Sequence, residues 1–108
     1  MKSVLIHDQQ TWRMYALVND QQIPVDSLKS VVAGVRGEIL ITGVARSDPD
    51  SNQIRKVISS LHKKDVVSFN VVTSDWRTVT GRGVVTDMLM PSAPKAELPF
   101  FIKLKRKK

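Results

Sequence analysis

Apolar and polar residues alternate along most of this chain, a pattern that predicts β-strands. Residues 13–25 predict a first hairpin, because apolar residues alternate on both sides of the turn formers Asn19–Gln21. Pro24 has no N–H to donate to a neighbouring strand, so the returning strand is expected at a sheet edge or at a bulge. The pattern therefore predicts a hairpin at the rim of a sheet.

Two further segments carry strand-forming residues before the middle of the chain. Residues 38–45 predict a strand, with Ile39 and Ile41 on one face. In residues 28–35 the apolar residues are contiguous, so the pattern favours a strand and a turn of helix equally. Periodicity leaves that segment undecided.

Residues 49–63 predict the only helix, because apolar residues recur at i, i+3, i+4 and i+7 from Ile54. Asp48 is predicted to cap the helix, Pro49 to take its first position, and the lysines at 63–64 to lie at its negative end. The apolar stripe is expected to pack on the sheet of the same chain. Binding of a partner helix is the alternative.

The second half of the chain predicts a longer hairpin and a final strand. Residues 66–73 and 78–90 alternate around a short polar turn, and residues 100–105 alternate after a proline-rich loop. Strands grouped around one helix favour antiparallel pairing, because parallel pairing requires more crossovers. The predicted fold is mainly β with one helix, an antiparallel β-sandwich or barrel flanked by a single α-helix at about 49–63.

Few residues suggest catalysis or metal binding. His7 and His62 have no recognisable third ligand or triad partner, so both are predicted to be surface residues. The run Gly81-Arg82-Gly83 lies in a strand pattern and does not open a helix, which argues against a phosphate cradle. Its glycines predict a bulge, or a place where an aromatic ring packs on bare backbone. We expect no enzyme activity, cofactor, metal site or small-molecule substrate.

The net charge of +7 is concentrated at the C-terminus. Residues 1–102 hold 12 basic and 10 acidic residues, a net of +2. We predict one β-rich domain, residues 1–102, followed by a basic tail, residues 103–108. The tail has three interpretations: nucleic-acid binding, docking on an acidic protein, or a solubilising terminus. The cations predicted to bind are Lys103, Lys105, Arg106, Lys107 and Lys108.

Trp76 is the most unusual residue, because it lies in a hairpin turn where glycine or asparagine would ease a left-handed backbone. Aromatic residues are over-represented among the anchors of protein interfaces. One interpretation is a contact with another subunit, and the other is that the indole folds back onto its own sheet. The residues predicted for a protein interface are Trp76, Arg77, Asp75, Trp12 and Phe101.

The chain has no cysteine, which excludes disulfides and thiolate metal sites. Its first ten residues lack the apolar core of a secretion signal, and no apolar run approaches membrane-spanning length. We expect a protein made in the cytoplasm and used there, or in a particle assembled there, without a membrane partner.

The run VVSFNVVTSDWRTVTGRGVVTDMLMPSAPKAELPFFIKL, residues 66–104, resembles the C-terminal half of small structural proteins of bacteriophage tails. These are the tail-tube proteins and related baseplate or tail-completion proteins, in which a polar turn leads into a G-x-G-V-V-T strand. The run YALVNDQQIPVDSL, residues 15–28, is similar to their opening hairpin, whereas Trp76 stands where their turn has glycine. The resemblance implies a β-sandwich or barrel with one flanking helix, which assembles into rings through edge strands and loops.

Two functional hypotheses follow. The first is a structural virion protein of a phage tail or related contractile apparatus, assembled in the host cytoplasm and bound to copies of itself and to other tail proteins. The alternative is a small nucleic-acid-binding β-barrel, of the oligonucleotide-binding or SH3-like type, that uses Arg77, Arg82 and the basic tail.

Overall fold

The computed structural model describes residues 14–89 and 98–107, which form seven strands, one α-helix and a single turn of 3-10 helix at Val25–Ser27. All strand pairs are antiparallel, and the sheet, in the order β2-β1-β5-β6-β7-β4-β3, does not close into a barrel. The prediction of a mainly β fold with one helix is confirmed. The elements are β1 (Tyr15–Val18), β2 (Gln21–Gln22), β3 (Leu28–Ala33), β4 (Glu38–Ala45), α1 (Asp48–Ser59), β5 (Val66–Val72), β6 (Thr78–Leu89) and β7 (Leu98–Arg106).

The first hairpin turns at Asn19 and Asp20, two of the three predicted turn residues, and the third, Gln21, begins β2. Asn19 and Asp20 have left-handed φ angles of 53° and 63°, as a two-residue hairpin loop requires. The undecided segment that follows is the strand β3, whose pairing with β4 places Val31 opposite Ile41. Both of these side chains are fully buried, so the contiguous apolar run is explained by burial on one face and partial exposure on the other.

Helix α1 begins one residue earlier than predicted. Ser47, and not Asp48, is the N-cap, because its side-chain oxygen accepts a hydrogen bond from the N–H of Asp50 at 3.3 Å. Asp48 and Asp50 instead contribute negative charge to the first turn, where the unpaired N–H groups favour it. Pro49 follows Asp48 in that turn, where its missing N–H costs the helix no hydrogen bond.

The prediction that the helix reaches residue 63 was wrong. The chain leaves the helix after Ser59 because it pairs with β6 instead: the N–H of Lys64 donates to the Val85 carbonyl at 2.8 Å, and the N–H of Val85 donates to the Asp65 carbonyl at 2.9 Å. Leu61, counted in the apolar stripe, is buried beyond the helix end. The stripe packs into the core of the same chain, as expected.

Gly81 and Gly83 of β6 leave room for an aromatic ring from the neighbouring strand. The ring of Phe69 lies where Cβ atoms on Gly81 and Gly83 would make contact, at 3.7 and 3.4 Å. Phe69 is 3% exposed and belongs to the central apolar cluster. The prediction that these glycines let an aromatic residue pack against bare backbone is confirmed.

Strand β7 extends further than its alternation predicted. It runs to Arg106 and pairs with β4 on one side and β6 on the other, so residues 103–106 belong to the sheet rather than to a separate tail. Phe100, Ile102 and Leu104 point into the core, whereas Lys103 and Lys105 are exposed on the opposite face. The boundary at residue 102 therefore cuts through a strand.

Candidate protein interface

Residues 73–77 form the tight turn between β5 and β6. The N–H of Trp76 donates to the Thr73 carbonyl at 3.0 Å, and the N–H of Thr73 donates to the Arg77 carbonyl at 2.8 Å. Trp76 has a φ of 67°, so a β-turn is followed by one left-handed residue. This is the usual construction of a three-residue hairpin loop, and the left-handed position normally holds glycine.

The side chains of the turn fix its shape from inside. Thr73 is fully buried, and its hydroxyl donates to the carboxylate of Asp75 while accepting the N–H of Arg77 at 3.0 Å. The guanidinium Nε of Arg77 donates to the same carboxylate at 3.0 Å. The hydrogen bond from the Thr73 hydroxyl, and to a smaller extent Arg77, lower the pKa of Asp75 below its ordinary value. At neutral pH the turn is therefore held by hydrogen bonds to an ionised carboxylate.

The turn is attached to the outer edge of β3. The N–H of Ser74 donates to the Val31 carbonyl at 2.8 Å, and the Ser74 hydroxyl accepts the N–H of Val31 at 3.1 Å. The Arg77 guanidinium donates to the Ala33 carbonyl at 2.9 Å. These contacts satisfy edge groups of β3 that would otherwise be available to another chain.

The opposite end of the sheet is also covered. Gln53 of α1 donates through its side-chain amide to the Gln22 carbonyl of β2 at 3.1 Å, and Gln21 donates to the Ser60 hydroxyl at 3.2 Å. Strand β2 is only two residues long. Neither terminal strand of the sheet therefore presents a long free edge within the described residues.

Trp76 remains 56% exposed at the tip of this braced turn. It borders a hollow of about 510 Å³ whose other lining residues come from the residue before β1, from the segment before β3, from the start of β3 and from the turn itself. The hollow combines apolar side chains with one charge of each sign. Its lining residues are Met14, Val25, Asp26, Leu28, Lys29, Ser74 and Trp76.

The structure brings together three of the five predicted interface residues. Asp75, Trp76 and Arg77 share the turn, whereas Phe101 lies half-buried on the outer face of β7. Trp12 lies outside the described residues.

The predicted basic residues share their part of the sheet with cations from other elements. Lys107 donates its N–H to the Arg82 carbonyl at 2.7 Å, which places these two residues opposite each other across β7 and β6. Arg36 comes from the turn between β3 and β4. The sequence did not indicate it, because Arg36 is an isolated cation there and does not belong to a basic run. Lys108 lies outside the described residues.

One ion pair lies within this basic region. The Lys105 ammonium is 3.5 Å from the carboxylate of Glu38, which is directly opposite it in the sheet. The hydrogen bond from its own backbone N–H, and to a smaller extent the positive charge of Lys105, lower the pKa of the Glu38 carboxyl. Both side chains are exposed, so the pair contributes little to stability.

The described residues contain no group of three or more His, Cys, Asp or Glu side chains arranged to hold a metal ion. His62 is exposed, as predicted, and its Nδ1 lies 3.5 Å from Asp65. His7 is outside the described residues. In the part of the chain that the structure describes, no helix has the length and apolar character needed to cross a membrane.

Comparisons with known proteins give no match to a protein-family model, to a curated protein sequence or to a solved structure.

Proposed function

We propose that this protein is a non-enzymatic structural subunit that binds its neighbours through the turn bearing Trp76, in a phage tail or a related contractile apparatus. Its partners are other copies of itself and other tail proteins. The tail context comes from the resemblance of residues 66–104 to tail structural proteins, and the contact surface comes from the geometry of the turn.

The observation that carries the proposal is the choice of residue at the left-handed position of the turn. The β3–β4 hairpin has the same construction: the N–H of Gly37 donates to the Gly34 carbonyl at 3.2 Å, and the N–H of Gly34 donates to the Glu38 carbonyl at 2.8 Å. There the left-handed residue is Gly37, with a φ of 91°. The same position in the β5–β6 turn holds Trp76, whose side chain adds backbone strain and remains more than half exposed. A contact with another subunit supplies a physical reason for a residue that folding alone does not favour.

The covered edges of β2 and β3 support loop contacts rather than extended strand pairing at those two strands. A fixed turn loses little conformational freedom when it binds, because its backbone and Asp75 are already held by hydrogen bonds. An exposed indole on such a turn is suited to anchor an interface.

The proposal is tested by following self-association and the environment of Trp76 together. In a Trp12→Phe variant, Trp76 is the only tryptophan. We expect the mass measured by light scattering to rise with concentration, the indole emission to shift to the blue as it does so, and electron microscopy to show rings. Trp76→Gly keeps the turn geometry available and should remain monomeric at the same concentrations.

Val35→Ser is the matched control, because Val35 is fully exposed in the equivalent turn of the other hairpin. This variant should assemble like the unsubstituted protein. Assembly of Trp76→Gly at the same concentrations as the control, or an indole emission that is independent of assembly, would overturn the proposal.

A second candidate, nucleic-acid binding, is favoured by one feature of β7. Lys103, Lys105 and Lys107 are exposed, and the alternation of the strand puts Phe101 on the face of Lys103 and Lys105. An aromatic ring beside a row of cations is the arrangement used to bind single strands. Replacing the three lysines by glutamine should reduce the slope of log affinity against log salt by about 2 for a single-stranded oligonucleotide. The triple variant Lys29→Gln, Lys56→Gln, Lys64→Gln is the control, and equal slopes for both triples would exclude this candidate.

A further inference from the structure

We propose that the corner where the β3–β4 turn, residues 34–37, meets the end of β7 binds phosphate groups, with the guanidinium groups of Arg36 and Arg106 as its principal donors. The site goes beyond the proposed function, because it does not involve the turn bearing Trp76. It is also distinct from the row of lysines on β7, since neither arginine belongs to that row. The phosphate groups belong to a nucleic-acid backbone or to free polyphosphate, which present the same oxygens.

The backbone holds the two arginines beside each other. The N–H of Arg106 donates to the Gly37 carbonyl at 2.7 Å, which fixes the neighbouring Arg36 next to the end of β7. A Cβ on Gly37 would lie only 3.2 Å from the Cβ of Arg106, and Gly37 has a left-handed φ of 91°. Glycine at position 37 therefore permits the close approach of turn and strand that brings the two guanidinium groups to one corner.

The side chain of Arg106 is positioned by a second glycine. Its Nε lies 3.6 Å from the place that a Cβ on Gly81 would occupy, so the side chain runs back across β6. A donor that is already placed against the sheet loses less conformational freedom when a ligand binds.

A hollow of about 730 Å³ opens between the turn and the strand. Four of the six described residues that line it are cations, and none of the six is a carboxylate. Cations gathered in one concave place attract an anion and raise its local concentration. The lining residues are Val35, Arg36, Gly37, Lys105, Arg106 and Lys107.

Only one of these four cations is paired within the part of the chain that the structure describes. The Lys105 ammonium lies 3.5 Å from the carboxylate of Glu38. The side chains of Arg36, Arg106 and Lys107 form no ion pair or side-chain hydrogen bond with another described residue. Three positive charges at the hollow are therefore left for an external anion.

The number and closeness of these charges favour phosphate over an acidic polypeptide. Acidic side chains on one face of a β-strand recur only about every 6.6 Å, at every second residue. Phosphate charges recur about every 3.4 Å along each strand of a duplex, so neighbouring phosphates engage several cations of one hollow. The planar guanidinium fork also matches two oxygens of a single phosphate.

The test measures binding of inorganic tripolyphosphate by isothermal titration calorimetry at fixed salt concentration. The double variant Arg36→Gln, Arg106→Gln removes both guanidinium groups and leaves the backbone hydrogen bond between the turn and β7 available. We expect it to bind at least about tenfold more weakly, because hydrogen bonds between charged groups are individually worth about 1.5 kcal/mol or more.

The matched control is the double variant Arg46→Gln, Lys56→Gln, which removes two exposed cations between β4 and α1 and within α1. It changes the net charge equally and should bind tripolyphosphate within about twofold of the unsubstituted protein. Direct contact has its own signature: the Nε–H resonances of Arg36 and Arg106 should shift when tripolyphosphate is added, and that of Arg46 should not.

A second probe, a single-stranded oligonucleotide without a terminal phosphate, distinguishes the two sources of phosphate. Weaker binding of both probes by the Arg36→Gln, Arg106→Gln variant assigns the site to a nucleic-acid backbone. Weaker binding of tripolyphosphate alone assigns it to free polyphosphate.

Two results would overturn the proposal. One is equal binding of tripolyphosphate by the two double variants. The other is a glutamate peptide of the same charge that binds as tightly as tripolyphosphate, which would indicate an acidic polypeptide as the partner. Trp76→Gly should bind tripolyphosphate normally whether or not it self-associates, so failure of this site and failure of the contact at Trp76 are distinguishable.

Discussion

The carbonyl oxygen of Ser27 lies against the bare Cα of Gly43, in the space that a side chain on Gly43 would occupy. The ring of Phe100 lies on the same spot, with two ring carbons 2.7 Å from the position of a Cβ. The segment before β3 can therefore cross β4 closely only because residue 43 has no side chain. This crossing positions Val25 and Leu28 beside Trp76 in the hollow.

Gly43→Ala should lower the free energy of unfolding by roughly 3 kcal/mol, because backbone and a buried ring must move to admit the methyl group. Gly34→Ala is the control: its Cβ would meet the end of the flexible Glu38 side chain at 2.5 Å, which rotates away at little cost. Urea unfolding followed by circular dichroism measures both. Equal stabilities for the two variants would contradict the close crossing.

Ser74→Ala should lower the free energy of unfolding by about 1 kcal/mol, because it leaves the N–H of the buried Val31 without the hydroxyl that accepts it. Ser59→Ala removes an exposed hydroxyl that bonds only within its own helix, to the Lys56 carbonyl, and should change stability by a few tenths of a kcal/mol. The same unfolding measurement applies. Faster amide exchange at Val31 in Ser74→Ala alone is the specific signature.

Strain at position 76 is isolated by comparing two small residues there. Trp76→Gly should be more stable than Trp76→Ala by about 1 kcal/mol, because both lack the indole and only alanine resists the left-handed φ of 67°. The order should reverse at Ser68, an exposed residue of β5, where Ser68→Gly should be less stable than Ser68→Ala. The same order at both positions would show that the turn relaxes when the indole is removed.

The pH dependence of stability should report the ion pair of the β5–β6 turn. The pKa of Asp75 is lowered in the folded state, so the folded protein binds fewer protons than the unfolded chain near and below the ordinary value of 3.8. The carboxylate therefore adds stability above that value and loses its contribution as the pH falls through the folded pKa. Asp75→Asn should be less stable than the unsubstituted protein at neutral pH, and the difference should shrink well below pH 3.8. A difference that is constant over that range would contradict the assignment.

Local chemistry made several elements predictable. The alternation of apolar residues predicted β4, whose burial in the structure alternates in the same way. Asn19 and Asp20 indicated a turn because these residue types adopt left-handed φ angles readily. The end of the helix was not predictable, because Ser59 is followed by residues that suit a helix locally. Pairing of Lys64 and Asp65 with Val85 ends it, and that contact is distant in sequence.

The candidate surfaces, like the fold, were predictable from the sequence only in part. The sequence identified Trp76 as an unusual turn residue and the C-terminal cations as a basic cluster. It did not indicate that Ser74 attaches the turn to β3 or that Arg36 joins the cations.

The amino-acid sequence by itself determined a mainly β chain with one helix, because strand and helix periodicities and turn residues act over a few neighbours. Only the tertiary structure decided which edges are covered and which backbone groups remain available. Those outcomes depend on strand order and relative strand length, and these are set by contacts between residues far apart in the chain.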